Sequence, residues 1–226
     1  MTEAMESLYP FLYSGSSDLK AVLEQVSAST VEKTAEITEL RRTIARTDGA
    51  RIAECAGEMA ARFAAGGRLF AFGNGGSATD AAQLATMFLR PGPLSSGDDA
   101  PPLPAFGLAN DTAVVTALCN DIGVDVVFAR QLAAFGRPGD IAVGLSTSGN
   151  SENLLRAFDE AARRGLLTVG LAGYDGGKMA ELSSIDYLFV APSSSIHRIQ
   201  EAQTTVYQVL WELTAAEVSH VSRNPG

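Results

Sequence analysis

Two short segments concentrate the groups that could do chemistry. The first, Gly73-Asn74-Gly75-Gly76-Ser77, is glycine-rich and ends in a hydroxyl. Glycine lets a backbone adopt φ > 0 and come close to a ligand. A helix starting beside such a loop offers N–H groups and a positive dipole end to an anion. The second segment, Ser146-Thr147-Ser148-Gly149-Asn150-Ser151, packs four hydroxyls around one glycine. Hydroxyls and amides together can surround phosphate oxygens without a lysine, and neither segment contains Lys or Arg. Helix capping by Asn150 or Ser151 accounts for one polar residue there, not for the whole run. A dinucleotide fingerprint, Gly73-x-Gly75-x-x-Ala78, would need an acid closing the second strand about 20 residues on. Here Asp98 and Asp99 fall instead in a Pro/Gly/Ser-rich insertion at residues 91–103.

These segments need rigid elements to carry them. Short apolar runs at 68–72, 104–108, 140–145, 167–172 and 187–190 read as strands. Helical spacing fills 79–89, 112–119, 124–135, 152–164 and 196–218 between and after them. That alternation predicts an α/β fold, a five-stranded parallel sheet with helices on both faces. Each chemical segment then lies at the carboxyl end of a strand, where open parallel sheets bind ligands. Ahead of the sheet, residues 17–46 and 48–65 read as two helices, the second stopping at Gly66-Gly67. An aromatic patch, Leu8-Tyr9-Pro10-Phe11-Leu12-Tyr13, precedes them and reads as a clasp on a neighbouring helix or subunit. The expected organisation is an N-terminal oligomerisation arm at 1–66, a ligand-binding domain at 67–220 and a tail at 221–226.

The chain has 226 residues and a formal charge of −9, with 46% hydrophobic residues. That length and apolar content suit one globular domain with an arm. The acidity argues against nucleic acid and anionic membranes as partners. No run of eighteen apolar residues predicts a transmembrane helix, and the acidic first residues do not read as a signal peptide. Cys55 and Cys119 each sit alone in a helical pattern, as small buried hydrophobes in a reducing cytoplasm.

Taken together, the motifs resemble the SIS (sugar isomerase) family, and within it the phosphoheptose isomerase group. The likeness rests on the glycine segment with Asp80-Ala81, on Asn120-Asp121, on residues 146–151, on Asp175-Gly176-Gly177-Lys178-Met179-Ala180, and on Arg198-Ile199-Gln200-Glu201. It implies a flavodoxin-like three-layer sandwich, a homotetramer with sites between subunits, and a sugar phosphate such as sedoheptulose 7-phosphate as ligand. Carried over, Asn74, Gly75, Gly76, Ser77, Asp121, Ser146, Thr147, Ser148, Ser151 and Gln200 match the group's substrate contacts.

The same resemblance exposes departures. The group's helix after the glycine loop carries a histidine and a glutamate where this chain has Gln83 and Met87. The last helix carries a histidine where this chain has Gln208. That glutamate and later histidine are the group's acid/base pair, and in some members these side chains with the glutamine also hold zinc. Glutamine and methionine cannot take a proton from carbon, and the set Gln83, Met87, Gln200, Gln208 lacks zinc's usual donors. The expectation is therefore no metal, no cofactor, and sugar-phosphate binding without the group's usual chemistry. Two alternatives stand beside it. One is an active isomerase with relocated acid and base, Glu201 and His197. The other is a non-enzymatic tetrameric scaffold, like the replication-initiator-associating protein of the same family, with a protein partner.

Overall fold

The computed structural model describes residues 19–93 and 99–223. The aromatic patch at 8–13 lies outside them, as does the middle of the insertion. The chain divides into two compact units, residues 1–39 and 40–226. In the first unit, the described residues form the leading part of helix α1 (Leu19–Ala64), and Val22, Leu23, Val26 and Val31 are exposed.

The helix α1 runs unbroken for 46 residues, where the sequence predicted two helices. The expected boundary between them falls just before Gly49, and glycine inside a helix costs about 1 kcal/mol relative to alanine. The break does not form because one buried stripe continues across it. Ile44 lies before Gly49, and Ile52, Cys55, Met59 and Phe63 follow on the same face. Thr47 Oγ1 also satisfies itself locally, donating to Asp48 Oδ2 at 2.8 Å.

The rest of the second unit alternates as expected. Strand β1 (Leu69–Gly73) leads into α2 (Gly76–Leu89), and β2 (Ala105–Gly107) into α3 (Thr112–Asp121) and α4 (Val127–Phe135). Strand β3 (Ile141–Leu145) leads into α5 (Glu152–Arg163). After β4 (Leu167–Gly173) comes a 3-10 turn at Gly177–Glu181, then β5 (Tyr187–Ala191) and α6 (Ile196–Arg223). The last helix thus extends three residues into the expected tail, to Arg223. All strand pairs are parallel, in the order β2-β1-β3-β4-β5. The order reverses between β1 and β3, so the crevice outside their carboxyl ends is the switch point where such sheets take ligands.

Burial explains why the strands read as they do. The residues of β1, β3 and β4 are buried throughout, which demands continuous apolar runs. One face packs α3, α4 and α5 around Phe72, which lies 5.5 Å from Phe128 and 5.4 Å from Phe158. Gly144 is required there, because a Cβ would stand 2.5 Å from the Phe158 ring. The other face carries α2, α6 and the later part of α1. Phe63 meets Phe88 at 5.2 Å, and Thr214 of α6 donates to the Ala56 carbonyl. Cys55 is fully buried and unoxidised, and burial followed by the Glu58 charge pushes its thiol up to about 12. Among the described residues, no helix is long and apolar enough to cross a membrane.

Candidate functional site

The two chemical segments leave the sheet side by side, because Gly73 of β1 pairs in register with Leu145 of β3. The glycine loop turns back sharply. A Cβ on Gly73 would stand 2.7 Å from the Ser77 carbonyl and 2.9 Å from that of Leu145. Gly75 caps α2 at φ 55°, a left-handed value that glycine supplies without strain. Ser77 is buried within the first turn of α2. Asn74 forms a reciprocal amide pair with Asn153 in the first turn of α5, at 2.9 Å in both directions. The starts of the two helices that follow the two loops are thereby joined.

The serine loop is held mostly through its backbone. Ser146 Oγ accepts from Gly149 N at 3.0 Å, and Ser148 Oγ accepts from Asn150 N at 3.2 Å. A hydroxyl that accepts a bond still has its own proton to donate. Ser151 stands at the N-cap of α5 without a side-chain capping bond. The Asp175-Gly176-Gly177-Lys178-Met179 segment braces this loop. Met179 N donates to the Gly149 carbonyl at 3.0 Å and Lys178 N to Asn150 Oδ1 at 3.0 Å. The ideal Cβ of Gly149, at φ 67°, falls 1.9 Å from the Gly176 carbonyl. A cleft of about 760 Å³ opens between the loops following β3, β4 and β5, and meets the serine loop at Ser148 and Asn150.

Helix α6 closes the site from the other side. Gln200 lies against Gly76, so close that a Cβ there would meet its Nε2 at 2.3 Å. One turn on, Gln203 is 1% exposed and donates to the Ser146 carbonyl at 3.0 Å, while its Oε1 has no protein partner. Asp80 on α2 neighbours the Tyr207 hydroxyl on α6. Burial pushes the Asp80 carboxyl above the ordinary carboxylate range, against the lowering effect of that hydroxyl.

The structure thus places Asn74, Gly75, Gly76 and Ser77 on the loop after β1, Ser146, Thr147, Ser148 and Ser151 on the neighbouring loop after β3, and Gln200 against Gly76; of these, Ser148 lines the cleft. Asp121 is exposed at the end of α3, with Asn120 Nδ2 donating to it at 2.8 Å. His197 is exposed on the first turn of α6. The Glu201 carboxylate lies 2.7 Å from Arg198 of its own helix. Asn153, Gln203 and Tyr207 were not singled out from sequence. Each acts across the tertiary fold, and no local motif marks them.

The SIS domain family model matches residues 34–173. The chain belongs to the SIS domain family. Its curated relatives include the phosphoheptose isomerase of Pelodictyon phaeoclathratiforme, 43% identical over 176 residues that cover 77% of this chain and 82% of the relative. The Aquifex aeolicus phosphoheptose isomerase is 39% identical over 178 residues, 79% of this chain and 90% of the relative. Among solved structures, a phosphoheptose isomerase from Neisseria gonorrhoeae superposes with a TM-score of 0.74 at 31% identity, over 86% of this chain and 99% of that one. One from Francisella tularensis gives 0.75 at 28% identity, over 86% and 98%.

The zinc site of some relatives is a poor fit to these residues. Gln83 and Gln208 are exposed amides, Met87 is a thioether, and Gln200 is pressed against Gly76. None is an imidazole, thiolate or carboxylate. Among the described residues, no group of three or more His, Cys, Asp or Glu stands where it could hold a metal ion.

Proposed function

We propose that this protein binds a sugar phosphate in the crevice outside β1 and β3, with the phosphate between the glycine and serine loops. The observation that carries the reading is the in-register start of the two loops, fastened by the Asn74–Asn153 pair. Backbone amides and the hydroxyls of Ser77, Ser146, Thr147, Ser148 and Ser151 supply the donors, and the helix starts supply the favourable potential. This local arrangement works despite the overall negative charge. The phosphoheptose isomerase relatives support a seven-carbon ketose phosphate as the first ligand to try. The positions of the group's acid/base pair hold Met87 and Gln208, so the proposal does not include that pair's chemistry. Glu201 and His197 gain no support as replacements, since Glu201 pairs with Arg198 and His197 faces solvent.

Titration with sedoheptulose 7-phosphate and a phosphosugar panel tests the reading by thermal shift and calorimetry. A ligand at 100 times its Kd adds about 2.7 kcal/mol, which for a chain of this size raises Tm by about 5–10 °C. Ser148→Ala is expected to weaken binding about tenfold or more. Absence of stabilisation by every member, with Ser148→Ala indistinguishable from wild type, sinks the proposal.

A second observation favours an assembly. The exposed Val22, Leu23 and Val26 follow helical spacing on α1, an apolar stripe that other copies would cover. Light scattering showing a monomer at all concentrations counts against it.

A further inference from the structure

The loop after β4 holds an aromatic residue in a backbone conformation that disfavours it. Tyr174 is the one non-glycine residue with a positive φ among the described residues, at 54°. A bulky side chain in the left-handed region is a steric outlier, and glycine or asparagine would sit there at less cost. The neighbours explain why the backbone stays there. A Cβ on Gly173 would stand 2.4 Å from the Thr147 carbonyl, and one on Gly177 would stand 2.4 Å from the Ser148 carbonyl. The chain is therefore wedged against the serine loop both before and after Tyr174. Packing does not explain the choice of residue, because Tyr174 is 41% exposed. Outliers of this kind cluster where a site uses them. Tyr174 lines the cleft of about 760 Å³ that meets the serine loop at Ser148.

We propose that Tyr174 determines specificity at this site, its ring serving as the platform for the neutral sugar portion of a phosphosugar whose phosphate sits at the serine loop. This rests on the phosphosugar reading above and concerns the part of the ligand that the phosphate loops leave unheld. The chemistry of the cleft supports it. An aromatic ring presents an apolar face to the C–H side of a sugar and, in tyrosine, a polar tip to its hydroxyls. Next in the chain, Asp175 also lines the cleft, and its Oδ1 accepts from Gly177 N at 3.1 Å. A carboxylate has further lone pairs, so Asp175 can accept from sugar hydroxyls as well. Ser148 Oγ accepts from Asn150 N at 3.2 Å, and Ser193 Oγ, across the cleft on the loop after β5, accepts from Ser195 N at 3.1 Å. Both hydroxyls keep a proton to donate to the ligand. Among the described residues, no Lys or Arg lines the cleft, so it favours an uncharged polyol over a second phosphate. Its volume falls within the range of about 300–1,000 Å³ typical of small-molecule sites.

The test uses the full chain. Sedoheptulose 7-phosphate and inorganic phosphate are titrated in parallel by calorimetry, and Tm is recorded for each variant. Wild type is expected to bind both, the phosphosugar about tenfold or more tightly than phosphate. Tyr174→Gly is expected to weaken phosphosugar binding about tenfold and to leave inorganic phosphate within about twofold. Relief of the left-handed strain is expected to raise its Tm by about 2–4 °C. Tyr174→Phe keeps the ring and is expected to bind both ligands within about threefold of wild type. Unchanged phosphosugar affinity in Tyr174→Gly overturns the assignment. So does an equal loss for both ligands, which marks the residue as loop architecture. Should Tyr174→Gly fail to fold, Tyr174→Asn removes the same ring and tolerates the same backbone, and the same outcomes decide. Wild type that binds the phosphosugar no more tightly than phosphate also overturns the assignment and leaves the phosphate site standing. If wild type binds neither, the phosphosugar reading falls and this inference with it.

Discussion

The glycine loop and the serine loop leave the carboxyl ends of two neighbouring interior strands side by side, yet they are held by different means. The glycine loop is fixed through side chains, with Asn74 on Asn153 and Gln200 against Gly76. The serine loop has side-chain fastenings too, from Gln203 and Asn150, but adds a backbone interlock, with Gly149, Gly176 and Gly177 interleaved so closely that no Cβ fits at Gly149. Side-chain fastenings can be exchanged one at a time. An interlocked backbone has no smaller residue to retreat to, so it fails as a unit.

The same substitution placed in each loop tests this contrast most strongly. Gly149→Ala combines left-handed strain with a clash against the Gly176 carbonyl. It is expected to cost about 3 kcal/mol or more and to abolish phosphosugar binding. Gly75→Ala has similar strain, at φ 55°, but open space around the new methyl. Its expected cost is about 1–2 kcal/mol. Urea denaturation of both variants checks the difference, and equal costs would break the comparison.

A double-mutant cycle on Asn74→Ala and Asn153→Ala probes the side-chain fastening directly. The expected coupling is about 0.5–1.5 kcal/mol. Asn74→Ala leaves the buried Asn153 amide without this partner, Asn153→Ala frees the exposed Asn74 amide, and either change removes the whole pair, so their costs should not add. Strict additivity would show that the loops are joined by backbone alone.

The smallest effect expected is a pH dependence at Asp80. Burial raises its carboxyl above the unfolded value of 3.8, so folding favours the protonated form. The stability this form contributes is present below that value and is lost as pH rises through the folded pKa. Asp80→Asn mimics the protonated form, so its Tm relative to wild type is expected to increase between about pH 4 and pH 7. A difference that stays flat across that window would remove the burial argument.

Much of this architecture was legible in the residues themselves. Apolar runs bounded by glycine, such as Leu69-Phe70-Ala71-Phe72-Gly73, can only be interior parallel strands once helices follow each of them. The loops were legible because glycine and hydroxyl density has few other uses at a strand end. The continuity of α1 was not legible, because Gly49 beside the expected boundary weakens the helix locally and burial of Ile44 and Ile52 overrides it. Nor were Asn153 and Gln203, whose partners lie 79 and 57 positions away, nor the buried Tyr207. The role of Asp175-Gly176-Gly177 was legible only as a motif. Its place as the brace beneath the serine loop required the fold.

The pairing of Asn74 with Asn153 has one more consequence, for how the molecule ages. Asn74 is followed by Gly75, the dipeptide most prone to deamidation, because glycine leaves its backbone nitrogen free to attack the preceding side-chain carbonyl. Asparagine is in general a thermolabile residue. Cyclisation needs the Asn74 amide to swing toward that nitrogen, and its two bonds to Asn153 oppose the swing. Were it to proceed, a carboxylate would appear in the crevice offered to an anion. The amide pair therefore acts as chemical preservation as well as architecture, guarding the most perishable bond at the position where a new negative charge would do most harm.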